Sequence, residues 1–184
     1  GASGLMAAGR AAELGADVIL LEKTDSPGKK ILISGRTRCN LTNQKDLDDF
    51  ILMYGSNGRF LHRAFNKFFR DDLLAFLRGY GVETKAERGG RIFPVSDDAR
   101  DIVVAFKQYL ADHNVQMKTN ARVTGIVVDK GHVTRVRTEK DEYMSGEDAV
   151  VDIQADYYFG VPVEGGAVTY GITAQDYYFD RYTD

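Results

Sequence analysis

The sequence predicts an α/β fold, and three observations carry that expectation. Segments of helical and strand character alternate from the first residue to about residue 137. The chain opens on Gly1-Ala-Ser-Gly4, runs through residues rich in Ala, Leu and Met to Gly15, and then enters the apolar run Val18-Ile-Leu-Leu-Glu22, an order of helix, stop, strand and acid. Further on, two pairs of strand-like runs face each other across turns at Gly89-Gly90 and at Asp129-Lys-Gly131.

Residues 4 to 14 are good helix formers, and Gly15 supplies the stop. With the strand that follows, they read as the second half of a βαβ unit of the dinucleotide-binding kind, whose first strand is expected to be missing. In that unit glycines let the backbone approach a pyrophosphate at the positive end of a helix, and an acid about 20 positions on accepts from a ribose hydroxyl. Gly1 and Gly4 stand where the second and third glycines belong, with Ala2 and Ser3 between them, and Glu22 stands where the acid belongs. The plainer alternative is a helix that starts on small residues and a strand that ends on a charge.

After the strand, Ser26-Pro-Gly28 marks a turn. Lys29-Lys-Ile-Leu-Ile-Ser-Gly35 is a short apolar stretch ending in the loop Arg36-Thr-Arg-Cys-Asn-Leu-Thr-Asn43. Helices are expected over Leu47 to Tyr54, Asn57 to Phe69 and Asp71 to Gly79, with Asp71 and Asp72 favouring the last start and Gly79 and Gly81 its stop. Phe60, Ala64, Phe65, Phe68 and Phe69 recur at helical spacing, which predicts a core stripe with Arg59, Arg63, Lys67 and Arg70 on the solvated face. Val82 to Glu87 and Arg91 to Val95 form the first hairpin, and Ser96, Asp97 and Asp98 cap a helix from Ala99 to Leu110. A strand over Val115 to Lys118 and a second hairpin, Arg122 to Val128 with His132 to Arg137, complete this part.

At 184 residues the chain has the length of one ordinary domain, or of one domain and a fragment. No membrane span and no cleavable leader are expected from its pattern. Cys39 is the single cysteine, which excludes an internal disulfide and suits a reducing compartment. His62, His113 and His132 lack any spacing that makes a metal site. The net charge of −3 hides a break: residues 1–140 hold 23 Lys and Arg against 17 Asp and Glu, whereas residues 141–184 hold Arg181 alone against ten acids, together with seven of the ten tyrosines. The mild basic excess of the first stretch comes with no recognition motif, so no nucleic-acid partner is expected.

Gly28-Lys-Lys-Ile-Leu-Ile-Ser-Gly35, Arg38-Cys-Asn-Leu-Thr-Asn43, Tyr54-Gly55, Asn57-Gly-Arg-Phe60, Gly89-Gly-Arg-Ile-Phe-Pro-Val-Ser96 and Asn120-Ala-Arg-Val-Thr-Gly125 form six blocks in order. In these blocks the chain resembles the aminoacetone oxidase-like flavoproteins, NAD(P)/FAD-dependent oxidoreductases that also include proposed bile-acid-intermediate reductases. The resemblance implies a truncated, glutathione-reductase-type FAD-binding (Rossmann-like) domain over residues 1–138, with a helical insertion and a β-meander. It places Gly1, Ala2, Ser3 and Gly4 against the pyrophosphate, Glu22 on the adenosine ribose, the backbone of Val123 at the adenine, and the loop with Ser34, Gly35, Arg38, Cys39 and Asn40 along the flavin. Lys23 and Lys30 are counted with these cofactor-binding residues. Where the family usually has a run of glycines before Arg-Cys-Asn, this chain has Gly35-Arg-Thr-Arg38.

A thiolate at Cys39 beside Arg36 and Arg38 would have a lowered pKa. Disulfide-type flavoenzymes need a pair of cysteines, so a packing or cofactor-contact role is expected instead. No catalytic residue is identified. The flavin does the hydride chemistry in such enzymes while the protein binds and orients.

Tyr143-Met-Ser-Gly-Glu147, the run from Val150 to Val163, Gly166 to Tyr170 and Tyr177-Tyr-Phe-Asp180 resemble a macroglobulin domain of bacterial alpha-2-macroglobulin-like proteins. That implies a partial, strand-rich β domain over residues 143–184 and a chimeric chain, and the alternation at Val151, Ile153 and Ala155 fits consecutive strands. The alternative is a third meander strand followed by an acidic tail. The expected function is therefore a fragment of a cytoplasmic FAD-dependent oxidoreductase, passing hydride to or from a small organic substrate with NAD(P)H as electron donor. A fragment lacking its first strand and second FAD contact is not expected to turn over by itself. The competing reading is a non-enzymatic scaffold fragment of a protease-trapping envelope protein, or a binding domain that keeps the fold without redox activity.

Overall fold

The structure, a computed structural model, describes residues 1–145 and divides the chain after Arg122 into two compact units. In the first unit, helix α1 spans Ala2–Glu13 and turns Leu5, Ala8 and Gly9 inward. Gly15, at φ +93°, ends it in the left-handed conformation that glycine reaches without a steric penalty. Strand β1, Ile19–Leu21, follows and pairs in parallel with a strand from near the end of the unit, Gln116–Lys118, Ile19 lying opposite Gln116 and Leu21 opposite Lys118.

Residues 29–33, expected as an apolar stretch running into a loop, form a short helix α2, Lys29–Ile33. Gly28 at φ +82° leads into it, Ile31 is buried and Ile33 is exposed, so the apolar run forms a helical turn. The loop beyond ends in β2, Thr42–Asn43, an edge strand too short for any periodicity to announce. It joins a three-stranded antiparallel sheet with β3, Thr84–Ala86, and β4, Arg91–Pro94, in the order β2-β4-β3. The β3–β4 hairpin turns through Gly89 and Gly90, both at positive φ.

Helix α3, Leu47–Leu52, is capped by Asp46, whose carboxylate accepts from the Asp49 N–H at 2.9 Å. The next segment departs from the single helix expected over residues 57–69. Gly55–Leu61 is a 3-10 turn, α4 covers only His62–Lys67, and Phe68 is extended before α5, Arg70–Gly79. Three changes of pitch break the regular spacing. Phe65 and Phe69 meet Phe50 edge to face, at centroid distances of 5.5 and 5.3 Å, whereas Phe60 is 88 % exposed and Phe68 40 % exposed. Arg70, expected on the solvated face, instead turns its guanidinium back to the carbonyls of Gln44 and Lys45.

Helix α6, Ala99–Asp112, begins at Asp98, whose side chain accepts from the Arg100 N–H at 2.8 Å. It is the central helix of the core: Ile102, Val103, Phe106 and Leu110 meet Leu5 of α1, Ile31 of α2 and Leu77 of α5. Gly9 lets α1 come close to α6, since a Cβ there would stand 2.2 Å from the Tyr109 ring. The Tyr109 hydroxyl donates to Glu13 at 2.8 Å, and Arg10 pairs with the same carboxylate. The chain then enters β5, Gln116–Lys118, the parallel partner of β1.

The second unit, as far as it is described, is an antiparallel meander of β6, Val123–Asp129, β7, His132–Thr138, and β8, Glu142–Met144. Lys130 and Gly131, both at positive φ, make the first turn. Tyr143 and Met144, expected with the tyrosine-rich segment, pair here with Val136 and Arg135. The rest of that segment, including the other macroglobulin-like runs, lies outside the described residues.

Candidate nucleotide-binding site

Two clusters gather the candidate residues of the first unit. The first lies where α1 begins and β1 ends. Gly1 caps α1 with no side-chain hydrogen bond, and the first turn carries no acid. The N–H groups of that turn therefore have no side-chain acceptor, at the end of the helix where the backbone dipole is positive. Nothing lies within 4 Å of a Cβ built on Gly4, and its φ is not positive, so the protein's own packing does not demand glycine there. A 12-residue helix with open space over a bare first turn fits a pyrophosphate.

Glu22 sits one residue past β1. Its N–H donates to the Lys118 carbonyl and its carbonyl accepts from the Ala121 N–H, both at 2.9 Å. The backbone N–H and hydroxyl of Thr24 each lie 2.9 Å from carboxylate Oε1. No bond of this kind is made by Oε2 among the described residues, so this oxygen can accept from a ligand hydroxyl. Burial works against ionisation of Glu22, but the Thr24 hydrogen bonds, the nearby amino group of Gly1 and Lys23 outweigh it and hold the carboxyl below its ordinary pKa. Lys23 and Lys30 are exposed. Val123 opens β6 in the second unit, 44 % exposed.

The second cluster is the loop from Ser34 to Asn40. Ser34 closes α2 by donating its hydroxyl to the Ile31 carbonyl at 2.8 Å. Four of the five residues from Gly35 to Cys39 are left-handed: Gly35 at φ 55°, Arg36 at 56°, Thr37 at 68° and Cys39 at 60°. Three of them carry side chains in a region that costs an L-residue roughly 1–2 kcal/mol. Gly35 cannot be replaced, because a Cβ there would stand 2.6 Å from the Asn40 nitrogen. The Cys39 N–H donates to the Ser34 carbonyl at 3.1 Å, and the Thr37 carbonyl accepts from Ala99, the first residue of α6, at 2.8 Å. A cleft of about 520 Å³ opens beside Thr37 and the start of α6, lined also by Leu32, Ser96 and Arg100.

Cys39 is buried in the core. Burial pushes its thiol up, against a smaller opposing effect of a hydrogen bond with Ser34, so the lowered pKa that neighbouring arginines could have produced is not realised. Arg38 is committed elsewhere. Its guanidinium lies 4.2 Å from the centroid of the Phe93 ring and bonds to Glu87 and to Asp97, with Nε 2.9 Å from Asp97 Oδ1. Asp97 also accepts from Lys85 at 2.6 Å; with Lys85 first and Arg38 after it, these partners hold its carboxyl below the ordinary range. Asn40 is exposed.

The sequence singles out Glu22 but not Thr24, whose place two residues after a side-chain acceptor is the local signal of such a turn. Nor does it single out Glu87, Phe93 and Asp97 around Arg38, which no local pattern connects to the loop. Among the described residues no group of His, Cys, Asp and Glu could hold a metal ion, and no helix is long and apolar enough to cross a membrane.

Residues 1–156 match the HI0933-like protein Rossmann domain, a match that runs past the compositional break near residue 140. Among proteins of known activity, the chain is similar to the 3-dehydro-bile acid delta(4,6)-reductase of Clostridium scindens, 36% identical over 138 residues, which are 73% of this chain and 33% of that protein. It is also similar to the ribosomal RNA dihydrouridine synthase of Escherichia coli K12, 28% identical over 130 residues, 71% of this chain and 32% of that protein. The chain thus spans about one third of the length of either relative. Nothing in these matches supports a macroglobulin part or a chimeric chain. They support an oxidoreductase of a general kind. With most of its length matched, and an uncapped glycine-flanked helix leading to an acid-tipped parallel strand, the chain belongs to the HI0933-like Rossmann-domain family.

Proposed function

We propose that the chain is the nucleotide-binding part of an FAD-dependent reductase. The observation that carries this reading is the pairing of a bare helix start at Gly1–Gly4 with a Glu22 carboxylate that keeps Oε2 open. FAD supplies the hydride chemistry when bound. The first-turn N–H groups of α1 hold its pyrophosphate, and Glu22 accepts from the adenosine ribose. The loop from Ser34 to Asn40 lies along the flavin, with Lys23 and Lys30 adding positive charge around the phosphates. This arrangement amounts to a glutathione-reductase-type cofactor domain.

One relative is named a 3-dehydro-bile acid delta(4,6)-reductase and the other a ribosomal RNA dihydrouridine synthase. The shared chemistry is hydride delivery to an electron-poor carbon–carbon double bond in a ring, and we assign that reaction class to the full-length protein, with NAD(P)H as electron donor. Because the relatives are more than twice as long as this chain, turnover is expected of a chain of their length.

Titration of the chain with FAD, followed by flavin fluorescence, tests the cofactor assignment. Gly4→Ala is the informative variant. Replacing a glycine inside a helix by alanine should leave the fold intact and stabilise it by about 0.5–1 kcal/mol. The new methyl group enters the space reserved for the pyrophosphate, so FAD affinity should fall about tenfold or more, an effect of the size of a lost charge-assisted hydrogen bond. Glu22→Ala should weaken binding as well. Unchanged affinity in both variants would sink the assignment.

A further inference from the structure

We propose that Arg38 is a positioning residue. Its guanidinium, held between Glu87 and Asp97 and over Phe93, clamps the left-handed loop Gly35–Cys39 into the shape that receives the flavin, and does not itself bind the cofactor. This rests on the FAD reading given above.

The loop holds three side-chain-bearing residues at positive φ. Such strain persists only where the surroundings over-determine the conformation, and it gathers at ligand clamps. Backbone bonds fix both ends: Cys39 N–H to Ser34, Thr37 carbonyl to Ala99, and Leu41 N–H to the Ile92 carbonyl at 2.8 Å. Between these ties the one long side chain that reaches out of the loop and is caught is that of Arg38. Its partners come from three different places: Glu87 precedes the turn between β3 and β4, Phe93 lies on β4, and Asp97 lies between β4 and α6.

The grip is specific to a guanidinium. A planar fork can meet two carboxylates in its plane while its face rests on an aromatic ring, which an ammonium cannot do. Asp97 is itself held, by Lys85 at 2.6 Å and through its own N–H to the Pro94 carbonyl at 3.1 Å. The clamp is therefore anchored to the rigid β2-β4-β3 sheet. With Nε and Nη2 turned toward Glu87 and Asp97, that edge of the guanidinium is committed to protein partners. A flavin-contacting arginine and a loop-clamping arginine predict opposite results when the two carboxylates are removed.

The test is the double variant Glu87→Gln with Asp97→Asn, compared with Arg38→Ala, Arg38→Lys and the triple combination, in the full chain. Two readouts are followed: FAD affinity by flavin fluorescence, and the rate of tryptic cleavage after Arg36. If Arg38 clamps, both the carboxylate variant and Arg38→Ala speed cleavage and weaken FAD binding about tenfold, as expected on losing charge-assisted bonds. The triple variant is then no worse than Arg38→Ala, and lysine rescues little. If the carboxylate variant binds FAD as tightly as the unaltered chain, or more tightly because the arginine is released to a phosphate, the proposal is overturned. Cleavage rates unchanged in both variants overturn it too. Should the unaltered chain bind no FAD while the variants still open the loop, the cofactor reading fails and the clamp alone stands. Circular dichroism of each variant shows whether the fold is kept, and Arg38→Lys serves where Arg38→Ala does not fold.

Discussion

Thr37 occupies a backbone conformation at φ 68° that a β-branched residue rarely adopts. Glycine would reach the same conformation freely while costing chain entropy on folding. Thr37→Gly relieves roughly 1–2 kcal/mol of left-handed strain against about 0.5–1 kcal/mol of that entropy, so a net gain of about 0.5–1 kcal/mol is expected in urea unfolding. A variant less stable than the parent would show that the Thr37 side chain holds more than its strain costs. The departure from the family's glycine run thus has a physical form: Arg36 and Thr37 take up the glycine-like conformation without being glycine. Which residues would stand at positive φ could be suspected from the resemblance. That Arg38 would be clamped could not, because Glu87 and Asp97 lie 49 and 59 residues away in sequence.

At the scale of elements, the signals that succeeded were local ones. Asp98 caps α6, Gly15 stops α1, and Gly89-Gly90 turns a hairpin, each decided by a few neighbouring residues. Those that failed depended on what packs against what. The aromatic stripe assumed one continuous helix, and the 3-10 turn at Gly55–Leu61 rotates Phe60 out of register with Phe65. Phe60→Ser should therefore change stability by less than about 0.5 kcal/mol, as at other surface positions. Phe65→Ala, which breaks contacts with Phe50, Tyr54 and Phe69, should cost about 1–3 kcal/mol, below the fully buried range because Phe65 is half-buried. Equal effects in thermal melts would refute the altered register.

The contact between α1 and α6 carries a pH signature. Burial first, and then the hydrogen bond to Glu13, push the Tyr109 hydroxyl up to about 12. A group whose folded pKa is raised contributes stability that is whole below its unfolded value, near 10 for tyrosine, and that is lost as pH rises through the folded value. Denaturation midpoints should therefore decline between about pH 10 and 12. Tyr109→Phe should be less stable at neutral pH and lose much of that decline. An alkaline profile unchanged by the substitution would assign the loss to other groups.

At the scale of the molecule, the compositional break near residue 140 suggested that two unrelated parts meet there. The meander does not break at that point, since β8 pairs with β7 through residues 142–144, and the family match continues to residue 156. Strand pairing depends on backbone and register, so a change of composition need not be a change of sheet. The Rossmann character was legible because Gly1–Gly4, Gly15, the apolar run and Glu22 lie within one short stretch.

The parallel pairing of β1 with β5 joins the first part of the first unit to its last strand, and the helices α1 and α2 both rest on α6. The residues of α3 and α4 are thus a detour between segments that already hold each other, while α5 returns to the core through Leu77. Closing so long a loop costs little more than closing one half its length, because the entropy grows only with the logarithm of the number of residues. A backbone cut in the exposed turn near Gly55 would therefore not release the N-terminal piece. The two fragments, made separately and mixed, should reassemble into a single nicked particle, which makes this turn a natural place to split the domain into a two-part reporter of its own assembly.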